Sequence, residues 1–317
     1  MNTTIVRSKN RSTSLFPRTL LTVGLSLFGM GLGCPAVWAQ SSLSALADVG
    51  VTANMGSVAA LDAHSVNDNS TVSAAAMRDF TGMDRAGNMQ TMTFTGNTVA
   101  TADYGSLHCY TSGALTNSYY NAANPSYSDT NGNVINPAGS PYGLVSLGFA
   151  TFNDTLQYGG ALQSGYRAKY IFHVDGTNSG AGALADLAVN VDANPGEAFF
   201  AGDVGPFTAD WVTQEYAING VTPQQITVQF SDQVVFNTAD LTDGQNYTGI
   251  SDFSSTLKLT GIEVVDANDN PVSGWTVTSA SGTLYPLAAA TPEPGVTALL
   301  LSLGLPASLF AFRRRRR

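Results

Sequence analysis

The residues that most often carry out chemistry in proteins are scarce in this chain. Its only imidazole bases are His64, His108 and His173. His108 precedes Cys109, but adjacent residues on a strand point to opposite faces, so these two side chains cannot form a thiol–imidazole dyad. The spacings Gly-x-Ser-x-Gly, His-x-x-x-His and Cys-x-x-Cys, typical of nucleophile elbows and metal sites, do not occur. We therefore expect a protein without enzymatic activity.

Carboxylates and aromatic rings leave two alternatives open. Asp210 and Glu215 could flank a glycosidic bond as acid and base, with Trp211 and Tyr216 as platforms for the sugar. Close pairs of carboxylates arise by chance in an acidic chain, so a secreted glycan hydrolase is the less favoured alternative. Trp211 and Trp275 could instead stack on sugar faces in a lectin-like module, or they could pack within a sheet.

One acidic run resembles a calcium-binding linker. In the run from Asp266 to Asn270, the oxygens of Asp266, Asn268 and Asp269 are weak candidates for Ca²⁺. Calcium needs six to eight oxygens from several segments, and Asn and Asp are also common in turns because they tolerate left-handed backbone. We favour a turn and expect no cofactor.

A glycine-rich run has the spacing of a dinucleotide-binding loop. It extends from Gly180 to Ala185 and follows a predicted strand. The dinucleotide motif requires a helix to begin there, but the next residues alternate as a strand. The sequence therefore predicts a flexible hairpin loop between Gly176 and Gly182.

Residues 1–39 have the layout of a secretory signal peptide. Basic residues precede an apolar run from Thr19 to Leu32, which is followed by the small-residue pattern from Ala36 to Ala39. An apolar run of about fourteen residues is short for a membrane span and typical of a signal peptide. We expect export by the Sec route and cleavage before Gln40.

Residues 291–317 combine three features in a fixed order. A tripeptide, Pro292-Glu293-Pro294, precedes an uncharged apolar run from Gly295 to Phe312. As a helix this run is about 27 Å long, enough to span a hydrocarbon core. Five arginines follow it and are expected to hold the cytoplasmic side of the membrane. They are Arg313, Arg314, Arg315, Arg316 and Arg317.

Together these features resemble the PEP-CTERM sorting signal, with the alternative of a plain tail anchor. The resemblance implies that the chain is a substrate of an exosortase, a membrane-embedded transpeptidase-like enzyme, in a Gram-negative bacterium that produces exopolysaccharide. It further implies an intermediate anchored in the inner membrane, followed by placement at the cell surface or secretion. A role in the extracellular polysaccharide or biofilm matrix is the function we expect.

Composition excludes nucleic acid as a partner. Between the two targeting segments, acidic residues outnumber basic ones by more than four to one. Such a surface repels a phosphate backbone. The basic residues there are Arg78, Arg85, Arg167, Lys169 and Lys258.

The part between the targeting segments reads as all-β. Short alternating runs separated by Gly, Asn, Asp and Ser predict a β-sandwich or jelly-roll ectodomain over residues 89–290. Between Tyr166 and Val174, even-numbered residues are expected on one face and odd-numbered residues on the other. Residues 255–266 and 272–279 are predicted to form a hairpin. Residues 40–88, rich in Ala, Ser, Asn and Thr, are expected to be loosely ordered, with a short helix near 74–80.

Overall fold

The computed structural model describes residues 41–53, 57–84, 86–119, 127–129, 134–135, 143–192, 194, 197–201, 205–237 and 241–288. All the regular elements in these ranges are strands, so the all-β prediction is confirmed. The strands are β1 (Ser42–Ala53), β2 (Ser57–Val66), β3 (Val72–Met83), β4 (Met89–Asp103), β5 (Ser106–Thr116), β6 (Tyr127–Asp129), β7 (Val134–Ile135), β8 (Gly143–Gly160), β9 (Arg167–Gly180), β10 (Ala183–Val191), β11 (Glu197–Ala201), β12 (Gly205–Val212), β13 (Tyr216–Ala217), β14 (Gln224–Asn237), β15 (Tyr247–Val265) and β16 (Trp275–Ser279).

The strands form two antiparallel sheets, an arrangement consistent with a β-sandwich. The seven-stranded sheet has the order β11-β10-β14-β8-β1-β2, with β16 also paired to β8. The nine-stranded sheet has the order β12-β9-β15-β5-β4-β3-β6-β7, with β13 also paired to β9. Rings from the two sheets meet in the core, where Phe230 of β14 and Phe253 of β15 lie 5.4 Å apart in an edge-to-face contact.

Inward-facing and outward-facing residues alternate along the strands, and the inward-facing ones form the core between the sheets. On β9, Ala168, Tyr170, Phe172 and Val174 are buried and the odd-numbered residues are half-buried, as the sequence predicts. Strand β5 follows the same rule, with inward residues that include Leu107. Each large apolar side chain that becomes buried in this way contributes about 1.5–3 kcal/mol to folding.

The prediction of a loosely ordered segment over residues 40–88 is wrong. Strand β1 lies inside the seven-stranded sheet, between β8 and β2, and β3 occupies the region where a helix was expected. Alanine has little preference for strands, but Ala45, Ala47 and Ala74 are small enough to lie buried between the sheets. Backbone pairing and burial thus outweigh local composition, and the folded core begins at about residue 42.

The predicted hairpin of residues 255–266 and 272–279 forms only next to its turn, where Val265 and Pro271 make an antiparallel bridge, and the pairing predicted for residues 275–279 is wrong. After the turn at Asp266, the amide of Val272 donates to the carbonyl of Val264 at 2.8 Å, and the chain then crosses to the other sheet. There β16 pairs with residues 156–160 of β8. This stretch of β8 is available because the pairing of β1 with β8 begins only at Ser42 and Asn153.

The glycine-rich run forms a tight crossover rather than a flexible hairpin. It links β9 in the nine-stranded sheet to β10 in the seven-stranded sheet. Gly180 and Gly182 have φ angles of +75° and +71°. A Cβ atom on Gly182 would lie 2.0 Å from the carbonyl oxygen of Val235, so the backbones approach too closely for any side chain.

Candidate functional site

The predicted sorting residues lie outside the described residues. These are Pro292, Glu293, Pro294 and Arg313–Arg317, and the signal peptide 1–39 is outside them as well. No helix within the described ranges is long and apolar enough to cross a membrane. What the structure describes is the stretch of chain that leads to the sorting residues.

Residues 279–288, here called the exit segment, are hydrogen-bonded to the buried carboxylate of Asp154. Asp154 of β8 is fully buried and accepts hydrogen bonds from three groups of the exit segment. The Ser281 amide donates to Oδ1 at 3.1 Å, the Ser281 hydroxyl to Oδ2 at 2.6 Å and the Tyr285 hydroxyl to Oδ2 at 2.7 Å. The Thr155 amide donates to Oδ1 at 2.8 Å. We call this arrangement the Asp154 latch.

A short parallel pairing continues the attachment beyond Tyr285. The Ile262 amide donates to the carbonyl of Pro286, and the Ala288 amide donates to the carbonyl of Ile262, both at 2.9 Å. This part of β15 is free to pair because its ladder with β5 stops at Lys258 and Ser106. The chain is therefore held as far as Ala288, the last of the described residues, and Pro292 comes four residues later in the sequence, at most about 14 Å away.

Burial keeps the Tyr285 hydroxyl in its donor form. Its pKa is raised above the ordinary value, first by desolvation and then by the hydrogen bond to Asp154. The ring lies against Gly105 in the turn between β4 and β5, where an added Cβ would come 3.2 Å from it. A phenol with a raised pKa donates to a carboxylate throughout the physiological pH range.

The two tryptophans proposed for glycan contact are buried in the core. Trp211 is 6% exposed and packs on Phe172, with ring centroids 6.0 Å apart. Trp275 is 8% exposed, packs near Tyr158 at 6.1 Å, and donates its Nε1–H to the Val272 carbonyl at 3.0 Å. A buried ring cannot stack on a sugar, so this prediction is wrong and the alternative of packing within a sheet is confirmed.

The run from Asp266 to Asn270 forms the turn that the sequence favours. The Asp266 carboxylate accepts from the Asn268 amide at 2.7 Å and from the amide and side chain of Asn270 at 3.0 Å each. The hydrogen bonds from Asn270 are the main reason that the Asp266 pKa is lowered. Asp269 adopts left-handed backbone and pairs with Arg167 at 2.6 Å. The carboxylates of Asp266 and Asp269 therefore serve the turn and an ion pair.

Asp210 and Glu215 each have their own basic side-chain partners. Asp210 lies 2.7 Å from His173 Nδ1, across the pairing of β12 with β9. Glu215 lies 2.5 Å from an Arg167 nitrogen and 2.9 Å from Lys169 Nζ. The two carboxylates thus belong to two separate polar contacts on the outer face of the nine-stranded sheet: a hydrogen bond with His173 and an ion pair with Arg167 and Lys169.

His108 and Cys109 point to opposite faces of β5, as predicted. Cys109 is 1% exposed, and burial raises the pKa of its thiol. His108 faces outward, with Nδ1 2.8 Å from the carbonyl oxygen of Ser254. The thiol is therefore a small apolar core residue, and the imidazole belongs to the outer surface.

That surface contains a groove of about 300 Å³ that the sequence did not reveal. It forms because the pairing of β15 with β5 is interrupted between Phe253 and Leu257, and Ser254 at this irregularity approaches β5. The alternation of β5 indicates that His108 and Tyr110 share a face, but only the fold places β4 beside them. The residues lining the groove are Thr71, Val99, Thr101, His108, Cys109, Tyr110 and Ser254.

Two aspartates are buried on the outer face of the seven-stranded sheet. Asp186 on β10 is 6% exposed and Asp48 on β1 is 8% exposed. Burial is the main cause that raises the pKa of Asp186 to about 7 and that of Asp48 to about 6. No group of three or more metal-ligating His, Cys, Asp or Glu side chains occurs within the described part of the chain.

Comparison with known proteins assigns no relative. No protein-family model, no curated protein and no solved structure matches the chain. The candidate features are the exit segment with its latch and the groove around His108, and both rest on the geometry of this chain's own residues.

Proposed function

We propose that this protein is exported, sorted to the cell surface through its C-terminal tail, and contributes without enzymatic activity to the extracellular polysaccharide or biofilm matrix. One observation carries the proposal: the tripeptide Pro292-Glu293-Pro294, one apolar span and the arginine cluster follow each other in this order. The resemblance to PEP-CTERM signals makes an exosortase and the inner membrane its partners during sorting. The signal peptide, the transmembrane helix and a sandwich or jelly-roll ectodomain are parts of this proposal.

The path of the exit segment supports a tail that is separate from the folded core. Among the described residues, the last backbone hydrogen bond is donated by the Ala288 amide, and two prolines follow in the sequence at 292 and 294. Proline cannot donate to a ladder and disfavours helix in the residue before it, so the sequence favours an extended conformation at Glu293. An extended peptide next to a folded domain is accessible to a processing enzyme in the membrane.

Fractionation of cells and mass spectrometry of the mature protein test the proposal. A variant lacking residues 291–317, and one with Pro292→Ala and Glu293→Ala, should differ from the intact protein in destination and in processed mass. Thr297→Val, which keeps the span apolar, should be sorted normally. If the variant without residues 291–317 reaches the same place in the same processed form, the proposal is refuted.

Glycan binding is a second candidate function, and the groove is the observation that favours it. A half-buried Tyr110, the His108 imidazole and the hydroxyls of Thr71 and Thr101 form a mixed surface suited to a sugar ring and its hydroxyls. Tyr110→Ala and His108→Ala should weaken the retention of extracellular polysaccharide by the purified protein. Ser112→Ala, on the same face of β5 but outside the groove, should not.

A secreted hydrolase is the least favoured alternative. Product release from polysaccharides and esters at high protein concentration would support it, and loss of that release in Asp210→Asn or Glu215→Gln would locate the site.

A further inference from the structure

The exit segment leaves the fold at a defined end of the two sheets, here called the exit end. Strand β14 begins at Gln224 opposite Leu156, near the end of β8. Strand β9 begins at Arg167 opposite Val265, the last residue of β15. The start of β1 and the turn between β4 and β5 lie at the same end.

The two most exposed large apolar side chains of the described residues, Leu284 and Val221, lie at this end. Leu284 is 92% exposed and Val221 is 87% exposed, and Leu287 is a further 48% exposed. Val221 follows Gly220, whose carbonyl accepts a hydrogen bond from the side chain of Gln157 near the end of β8. Single exposed apolar residues are common, but two almost fully exposed ones at the end from which the tail departs require a reason.

The latch holds these leucines in a fixed orientation. Tyr285 turns inward and is 7% exposed, while its neighbour Leu284 points into solvent. The pairing at Ile262 then fixes the backbone on both sides of Leu287. Leu284 and Leu287 are thus exposed because hydrogen bonds hold the exit segment against the core in this conformation.

The remaining chain is too short to hold this end far from a membrane. Six residues separate Ala288 from Gly295, where the apolar run begins, and the seven Cα-to-Cα steps between these two residues reach at most about 25 Å. The headgroup layer occupies about 5–8 Å of this distance.

We propose that the exit end is a membrane-contact surface, on which Leu284, Leu287 and Val221 enter the interfacial layer of the lipid bilayer while the apolar run is inserted. This inference rests on the proposed function, because it takes residues 295–312 as the span. The acidic turn at Asp266 and the exposed Asp103 are also at this end. Contact therefore comes from apolar side chains and not from attraction to anionic lipid.

Site-specific fluorescence in vesicles tests this surface. The mature chain from Gln40 to Arg317 is used, and its one native cysteine, Cys109, is buried, so that in the folded protein only an introduced cysteine is accessible. A nitrobenzoxadiazole label is placed at Leu284→Cys in one protein and at Met89→Cys in the control. Met89 is 62% exposed and begins β4, about 46 Å of strand from Asp103 at the exit end. Both proteins are reconstituted into phosphatidylcholine vesicles containing lipids with a nitroxide near the headgroup.

We expect the label at position 284 to be quenched at least about two-fold more strongly than the label at 89, with blue-shifted emission. Adding Val221→Ser and Leu287→Ser should reduce that shift. Equal quenching at both positions, in protein that floats with the vesicles, overturns the contact surface while leaving tail insertion intact. Protein that does not float overturns tail insertion, and the contact surface with it.

Discussion

The Asp154 latch leads to a quantitative prediction for Tyr285→Phe. This change removes the hydroxyl that donates to Asp154 Oδ2 at 2.7 Å and leaves the buried ring in place. The Ser281 amide and hydroxyl continue to donate to the same carboxylate. The substitution therefore weakens the attachment of the exit segment without creating a cavity.

The size of the effect follows from the charge of the acceptor. A hydrogen bond to an ionised group contributes about 1.5–3 kcal/mol, so local opening of the exit segment should become about 10- to 150-fold more frequent. The amides of Ile262 and Ala288 report this opening directly, because their hydrogen bonds join β15 to the exit segment.

Native-state hydrogen exchange measures the change at these two amides. Their exchange should accelerate by that factor in Tyr285→Phe, while amides in the centre of β14 keep their rates. Tyr110→Phe, which alters a half-buried tyrosine on the outer face of β5, is the matched control and should leave all of these rates unchanged. If Ile262 and Ala288 exchange in Tyr285→Phe as slowly as in the control, the latch does not hold the exit segment and the reasoning fails.

Three further predictions concern stability. The pKa of Asp186 is raised to about 7, so the folded state keeps a proton that the unfolded state releases near pH 4. The free energy of unfolding should therefore fall as the pH rises from 4 to 7, by up to about 4 kcal/mol. Asp186→Asn should remove this loss and raise the urea midpoint at pH 8 more than at pH 4.5; an equal shift at both pH values would contradict it. Gly182→Ala should destabilise the protein by more than about 3 kcal/mol in urea, because strain and a clash with the Val235 carbonyl add together. The control Gly244→Ala has a φ of +75° but open space around it, so it should cost only about 1–2 kcal/mol, and similar costs for the two would disprove the clash. Trp275→Ala should lower the free energy of unfolding by about 3–5 kcal/mol in thermal or urea unfolding, because it removes a ring from the core. A change near zero would contradict the burial of Trp275.

Strand identity was predictable where side chains alternate clearly. The faces of β9 and β5 follow from sequence alone, because a period of two assigns each residue to one side of a strand. The turn at Asp266 was predictable for a similarly local reason, since Asn and Asp satisfy nearby amides.

The errors arose where distant partners decide the outcome. Strands β1 and β3 are rich in alanine and polar residues, and their conformation depends on ladders with β8 and β4 rather than on local preference. The same limitation applies to Trp211 and Trp275, since a strand pattern does not show which of its two faces another sheet covers.

The sequence by itself determined the all-β class, the acidic character from which no nucleic-acid partner is expected, and the order of features in the tail on which the sorting proposal depends. Each of these is a property of neighbouring residues or of composition. Only the tertiary structure decided that Asp154 meets Ser281 and Tyr285, 127 and 131 positions away, and that Leu284 points outward at the exit end. Contacts over such separations depend on strand register and sheet order, and neither is encoded in a local pattern.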